Sequence, residues 1–150
     1  MAKAIPDGLR SLTAQLNIDG AAEAIEFYKK AFGAEELSRA IDPSGKKIWH
    51  AAIKIGDSQL FINDTFPEMG GKPSHTSLWI YGENVDARWK RAVDAGCKVA
   101  MPLGDMFWGD RLGSLTDKWG IQWNLAQHMR DMSQAEMQKA GEDFAKSQKG

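Results

Sequence analysis

Apolar and polar residues alternate from Ser11 to Ile18, with Leu12, Ala14, Leu16 and Ile18 on one face and Ser11, Thr13, Gln15 and Asn17 on the other. A period of two predicts a half-buried strand. The period then lengthens. Ile25, Tyr28 and Phe32 fall at helical spacing, with Asp19 placed to cap the helix and Gly33 to stop it. A weaker strand over Glu36 to Ile41 precedes Pro43-Ser44-Gly45. From Lys47 to Ile55 the alternation puts Trp49, Ala51, Ile53 and Ile55 on a packing face and Ile48, His50 and Ala52 opposite. Gly56-Asp57 reads as a turn into a further strand, Ser58 to Thr65.

The same order then restarts. His75 to Tyr81 reads as a strand and Asn84 as a cap. Val85, Trp89, Ala92 and Val93 form a helix stripe ended by Gly96. Strands follow over Lys98 to Met101, Arg111 to Thr116 and Ile121 to Gln127. Gly33, Gly45 and Gly56 recur as Gly96, Gly109 and Gly120 at offsets of 63, 64 and 64 residues, and Asn63 recurs as Asn124. The expected architecture is therefore α+β: two βαβββ modules, at about residues 10–66 and 74–130, joined through the Pro- and Gly-rich stretch Phe66 to Ser74. Beyond them, Ser133-Gln134-Ala135-Glu136 is a capping box opening a polar helix with a narrow apolar face of Met137, Ala140 and Phe144, within a tail of residues 131–150.

Composition narrows the function classes. The chain has 150 residues, 43% hydrophobic and 26% charged, which suits one globular domain. Its formal net charge of -1 offers no basic excess for nucleic acid or anionic lipid. The single Cys97 excludes an internal disulfide and a Cys-cluster metal site, and its place after the helix stop, with no adjacent His, suits an inert thiol. No signal-peptide run and no stretch of 18 apolar residues is present. The expectation is a cytoplasmic domain facing a small molecule or a protein.

The run Asn17-Ile18-Asp19-Gly20 through Tyr28-Lys29-Lys30-Ala31-Phe32-Gly33, set after the opening strand, resembles the vicinal oxygen chelate superfamily of glyoxalases, bleomycin-resistance proteins and extradiol dioxygenases. His50 to Ser58, Phe107-Trp108-Gly109-Asp110-Arg111 and Asp117 to His128 are similar to its demethylubiquinone-methyltransferase-like branch. The resemblance implies two modules whose mixed sheets curl around a shared cavity. It also implies, in catalytic members, a divalent metal held by a His on the first strand and a Glu on the last strand of each module. Carried over, those positions are Thr13, Ser77 (or Thr76), Asn63 and Asn124. All four depart from the pattern. Neutral oxygens are poor substitutes for imidazole and carboxylate donors, so no metal and no other cofactor is expected. Methyl transfer is not expected either, because no Gly-rich loop for an adenosyl cofactor follows a strand.

The candidates follow from these placements. Thr13, Asn63, Ser77 and Asn124 would form a polar ring suited to an uncharged or mixed ligand. His50 is the catalytic candidate, a base on the face opposite Trp49. Trp79 shares a face with Ser77 and Tyr81. Trp108 would stack on a planar ligand and Arg111 would clamp an anion. Trp49, Trp89 and Trp123 are expected in the core, and Met129, Met132 and Met137 in packing. His75 and His128 sit at strand ends with their roles open. The favoured reading is a small-molecule-binding protein of the resistance type, acting as a homodimer with the tail helix near the interface. The alternative is a glyoxalase- or dioxygenase-like enzyme using His50, with or without a weakly held metal. A pure interaction module fits less well with so polar an inner face.

Overall fold

The computed structural model describes residues 1–149. Gly150, the last residue of the expected tail, lies outside the described residues. The chain runs β1 (Gln15–Ile18), α1 (Ala21–Phe32), β2 (Glu35–Ile41), β3 (Ile48–Ile55) and β4 (Ser58–Asp64). After a short helical turn at Pro67–Met69 come β5 (Ser77–Tyr81), α2 (Val85–Ala95), β6 (Lys98–Asp105), β7 (Asp110–Thr116), β8 (Gln122–His128) and α3 (Gln134–Ser147). The duplication is present as two sheets of identical topology, β1-β4-β3-β2 and β5-β8-β7-β6. In each, the first strand lies parallel to the last and the remaining neighbours are antiparallel. The two sheets stay separate and are not closed around one cavity within the chain.

Each sheet buries one face under helices. Leu16, Ile18, Ile53 and Ile62 pack on Ile25 and Tyr28 of α1, while Leu115 and Leu125 pack with Val85 and Ala92 of α2. The helices also meet each other, and Tyr28 reaches across to Trp123 of β8. The opposite faces, carrying Gln15, Asn17 and Phe61 on the first sheet and Ser77, Trp79 and Tyr81 on the second, are open. Gly33 and Gly96 end the two helices at φ of 69° and 117°, a conformation that costs a residue with a Cβ far more. At Gly113 a Cβ would collide with the Trp89 ring, so the absent side chain lets α2 settle on β7.

Several local expectations are corrected. β1 is shorter than the alternating stretch: ladder pairing begins at Gln15, the Ala14 carbonyl accepts from Phe61 N–H, and Leu12 is 90% exposed. Alternation assigns faces but does not supply a pairing partner. The caps also differ. Asp19 does not cap α1; the Asp64 carboxylate, arriving from the end of β4, accepts from Gly20 and Ala21 N–H and from Ile48 N–H. Asn84 adopts a left-handed φ of 53° with no side-chain cap bond, and Gln127 Oε1 takes the Val85 N–H instead. Trp49 leaves the core because β3 is bulged: Ala40 pairs with His50 but Ile41 with Ile48, so Trp49 is the extra residue. Ile48 therefore turns inward with Ala51, and Trp49, 43% exposed, stacks on Phe66. Met129 and Met137 are exposed rather than packed. The capping box of α3 forms as expected, with Ser133 Oγ accepting from Glu136 N–H at 3.1 Å.

The modules are tied together by Asp117, which is 6% exposed. Its carboxylate accepts from Tyr28 Oη at 2.5 Å, Trp123 Nε1 at 2.9 Å and the Trp119 and Ile121 N–H groups. Burial, followed by Asp117 itself, holds the Tyr28 hydroxyl far above the ordinary phenol range, so it remains a donor. Burial also pushes the Cys97 thiol up to about 11, as an inert thiol requires. Tyr28→Phe removes a buried donor to a carboxylate and is expected to lower stability by about 1.5–3 kcal/mol in chemical denaturation, with the fold retained. A change below about 0.5 kcal/mol would show that the bridge carries little.

Candidate functional site

The open face of the first sheet is built around amides. Asn17 and Asn63 are direct partners in the β1–β4 ladder, and the Asn63 amide donates to Asn17 Oδ1 at 2.9 Å and to the Asp64 carbonyl at 3.0 Å. Asn63 Oδ1 in turn accepts from Gln15 Nε2 at 2.6 Å. The second sheet repeats this pattern more deeply. Asn124, 3% exposed, donates to Ser77 Oγ at 2.7 Å and to the Leu78 carbonyl at 3.1 Å. Its Oδ1 accepts from Ser114 Oγ at 2.6 Å and Gln122 Nε2 at 3.2 Å.

Strand register identifies the true counterparts. Ser77 pairs with Gln122, two residues before Asn124, and Gln15 pairs with Phe61, two residues before Asn63. Gln15, not Thr13, is therefore the first-sheet equivalent of Ser77. Thr13 lies before β1, beside a separate hollow lined by Gly8, Asp57, Ser58 and Gln59, and does not join Asn63 in a ring. Nor does a single ring cross the two sheets, because each amide is satisfied within its own sheet. These side chains do not fit a divalent metal of the kind the resemblance implies. They are neutral donors and acceptors already engaged with one another. Among the described residues no group of three or more His, Cys, Asp or Glu side chains stands close enough to hold a metal ion.

Aromatic pairs flank both amide clusters. On the second sheet, Trp79 and Tyr81 stack with ring centroids 5.8 Å apart and planes 22° apart, and they are 47% and 56% exposed. The β5 strand that carries them forms one wall of a groove of about 580 Å³, with Ala14, Ile55 and the Gly56–Leu60 stretch opposite. On the first sheet, Trp49 and Phe66 stack at 4.5 Å with Lys47 Nζ over Phe66 at 5.0 Å, beside a hollow of about 210 Å³ that Asn17 and Asn63 also line.

At the outer corner of the second sheet, Asp110 is 3% exposed and collects three donors. Tyr81 Oη donates to its Oδ2 at 2.7 Å and Trp108 Nε1 to the same oxygen at 3.0 Å, while His128 Nδ1 lies 2.9 Å from Oδ1. Burial alone would raise the Asp110 carboxyl, but the bonds from His128, Tyr81 and Trp108 outweigh it and hold it below the ordinary carboxylate range. Burial and Asp110 together push the Tyr81 hydroxyl up to about 12.

The remaining candidates are placed apart. His50 is exposed on the open face of the first sheet, edge-on to Phe61 at 4.6 Å, with no hydrogen-bond partner among the described residues. Trp108 lies in the β6–β7 turn at the far corner of the second sheet, so the chain does not bring the two together. Arg111 points to the helix side of β7, where its guanidinium pairs with Asp86 of α2 and Asp105 of β6, and it is not free to clamp a ligand. Its alternation with Asp110 on β7 carries the signal: the neighbour of an open-face residue faces away. The same alternation (Asp110, Leu112, Ser114) would have put Asp110 on the face of Ser114, which pairs with Asn124. Trp49 and Phe66 could not be found this way, because they depend on the bulge.

With this geometry in view, the comparisons are consistent. The model of the Glyoxalase/Bleomycin resistance protein/Dioxygenase superfamily matches residues 10–125. The chain is 40% identical over 139 residues to protein Mb0911c of Mycobacterium bovis, covering 87% of this chain and 91% of that one. It is 28% identical over 124 residues to protein YjdN of Escherichia coli, covering 69% and 84% respectively. Among solved structures, TioX from Micromonospora sp. ML1 superposes with a TM-score of 0.68 at 23% identity, over 80% of this chain and 99% of that one. A PhnB protein from Bacillus cereus described as a putative 3-demethylubiquinone-9 3-methyltransferase gives 0.56 at 22% identity, over 79% and 99%. At those identities the structural likeness speaks for the fold alone. The match across both βαβββ modules, on a chain whose two sheets repeat one topology, places this protein in the glyoxalase/bleomycin resistance/dioxygenase superfamily.

Proposed function

We propose that this protein binds a planar organic small molecule on the open face of its second sheet, without a metal centre. The observation that carries this reading is the exposed Trp79–Tyr81 pair, stacked on the face that also presents Ser77 and Asn124. Two near-parallel exposed rings gain nothing from contact with water, whereas a flat ligand laid against their free surface gains stacking. The groove of about 580 Å³ beside β5 falls in the size range of small-molecule sites. The mutually bonded amides give that face fixed dipoles rather than reactive charge, which favours recognition over chemistry. His50, on the other sheet and unoriented, does not support the enzymatic alternative.

The active form in this reading is a homodimer. Each chain leaves both open faces uncovered, and a second copy supplies the missing wall. Sedimentation velocity at micromolar concentration is expected to give a single species of twice the chain mass. A monomer would overturn this part of the reading.

Two further outcomes are expected. Protein purified without added metal carries none at stoichiometric level in elemental analysis; one tightly held ion per chain would refute the metal-free reading. In calorimetry with planar aromatic compounds chosen by thermal-shift screening, Trp79→Ala weakens binding by about 1–3 kcal/mol, on the scale of single stacking contacts. Arg111→Lys leaves binding unchanged, because that guanidinium is spent on Asp86 and Asp105. Equal affinity of the wild type and Trp79→Ala would remove the stacking platform from the proposal.

A further inference from the structure

We propose that the outer corner of the second sheet is a site for a planar aromatic anion, an aromatic carboxylate or phenolate, whose ring lies on Trp79 and Tyr81 and whose anionic oxygen takes the place of Asp131 on His128 Nε2. The inference rests on the binding face described above and names the chemistry that face selects.

The geometry begins at Asp110. Its buried carboxylate holds Tyr81 Oη on one oxygen and His128 Nδ1 on the other. One carboxylate therefore joins the aromatic platform to an imidazole, and the Tyr81 ring leads from that corner to Trp79. Because Asp110 accepts at Nδ1, the imidazole carries its proton there and turns Nε2 outward. Nε2 lies 2.7 Å from Asp131 Oδ1, a bond between ring nitrogen and carboxylate that requires a proton on Nε2 as well. Both contacts are hydrogen bonds when the ring is protonated, as an imidazolium between two carboxylates. The hydrogen bond to Asp110, followed by that to Asp131, raises its pKa above the ordinary imidazole value.

The two carboxylates are not equivalent. Asp110 is buried and shared by three donors, while the Asp131 side chain is fully exposed. Asp131 lies in the linker between β8 and α3, outside any regular element. An exposed pair of this kind is worth little, since water solvates both partners as well as they solvate each other. Asp131 thus behaves as a replaceable occupant, showing that a carboxylate oxygen fits at Nε2. A ligand anion there makes the same bond and adds the stacking surface of two rings, which Asp131 cannot. Trp108 stiffens the corner: its Nε1 donates to Asp110 and its ring sits edge-on to Phe107, which stacks on Phe144 of α3.

The charged and titratable groups facing His128 are Asp110 from β7 and Asp131 from the linker, with Tyr81 from β5 reaching it through Asp110. Tyr81, pushed up to about 12, stays neutral across the working range. The pH dependence then belongs to His128. The imidazolium persists above the usual imidazole range and is lost as pH rises through its raised pKa, and anion binding is lost with it.

The test is calorimetry on the full chain with 2-naphthoate and its neutral analogue 2-naphthylmethanol. The wild type is expected to bind naphthoate about tenfold more tightly, the worth of one charge-assisted hydrogen bond. His128→Gln abolishes that preference, Asp131→Asn tightens naphthoate severalfold without changing the alcohol, and Trp79→Ala weakens both. Naphthoate affinity falls as pH rises past the His128 midpoint followed by imidazole NMR, and Asp110→Asn moves that midpoint down. The wild-type pH profile decides the matter even if His128→Gln fails to fold. Equal binding of the two probes, a flat naphthoate profile, or weaker naphthoate binding by Asp131→Asn would overturn the anion site while leaving the aromatic platform intact. Failure of both probes to bind would overturn the site and the platform together.

Discussion

The Asp117 carboxylate sits where the two halves of the molecule meet, and the arrangement of both depends on it. It gathers the Tyr28 hydroxyl from α1, the Trp123 indole from β8 and two N–H groups of its own β7–β8 turn. A buried carboxylate is tolerated only when its lone pairs are satisfied, so the site demands that α1 lie against β8 at one depth and angle. Around it, Tyr28 touches Phe27, Phe32, Trp119 and Trp123 with ring centroids between 4.7 and 6.0 Å across that cluster. The aromatic packing provides most of the burial and the carboxylate fixes its geometry. With the helices committed to this junction, the opposite face of each sheet is left open.

What happens on the open faces follows from satisfying polar groups locally. Asn63 and Asn124 occupy equivalent ladder positions and both use their full amide within their own sheet. The resemblance implies metal donors near these points in catalytic members, but here neutral groups hold one another, and among the described residues no group of three or more His, Cys, Asp or Glu side chains stands close enough to hold a metal ion. The aromatic pairs beside them then become the surfaces with unused capacity. On the second sheet that capacity adjoins the Asp110–His128 corner, so stacking area and a directed donor lie within one face. On the first sheet the corresponding area, Trp49 on Phe66, adjoins a lysine instead. The duplication thus preserved the frame while the two faces took on different chemistry.

The departures from sequence expectation share one cause. Asp64 and Gln127, not Asp19 and Asn84, cap the helices because the last strand of each module ends beside the helix start. A capping side chain supplied from about 40 residues away leaves no local signature. Trp49 lies outside the core because a bulge adds one residue to β3, and a single added residue reverses every side chain beyond it. The resemblance puts the first-strand position at Thr13, whereas the register, set by pairing with β4, places Gln15 there as the counterpart of Ser77.

By itself the sequence determined the two βαβββ modules, their order and their likeness to one superfamily, because periodicity, helix stops and turn glycines are local properties recorded in neighbouring residues. The resemblance carried onto it put neutral side chains at the positions implied for metal ligands, although the register moves the first of them from Thr13 to Gln15. Only the tertiary structure decided which polar side chains meet. Asp110, His128 and Tyr81 come from three strands, and their convergence depends on which strands pair and in what register. It likewise turned Arg111 away to Asp86 and separated His50 from Trp108, since a residue's position along a strand fixes its face only after the bulges and partners of that strand are known.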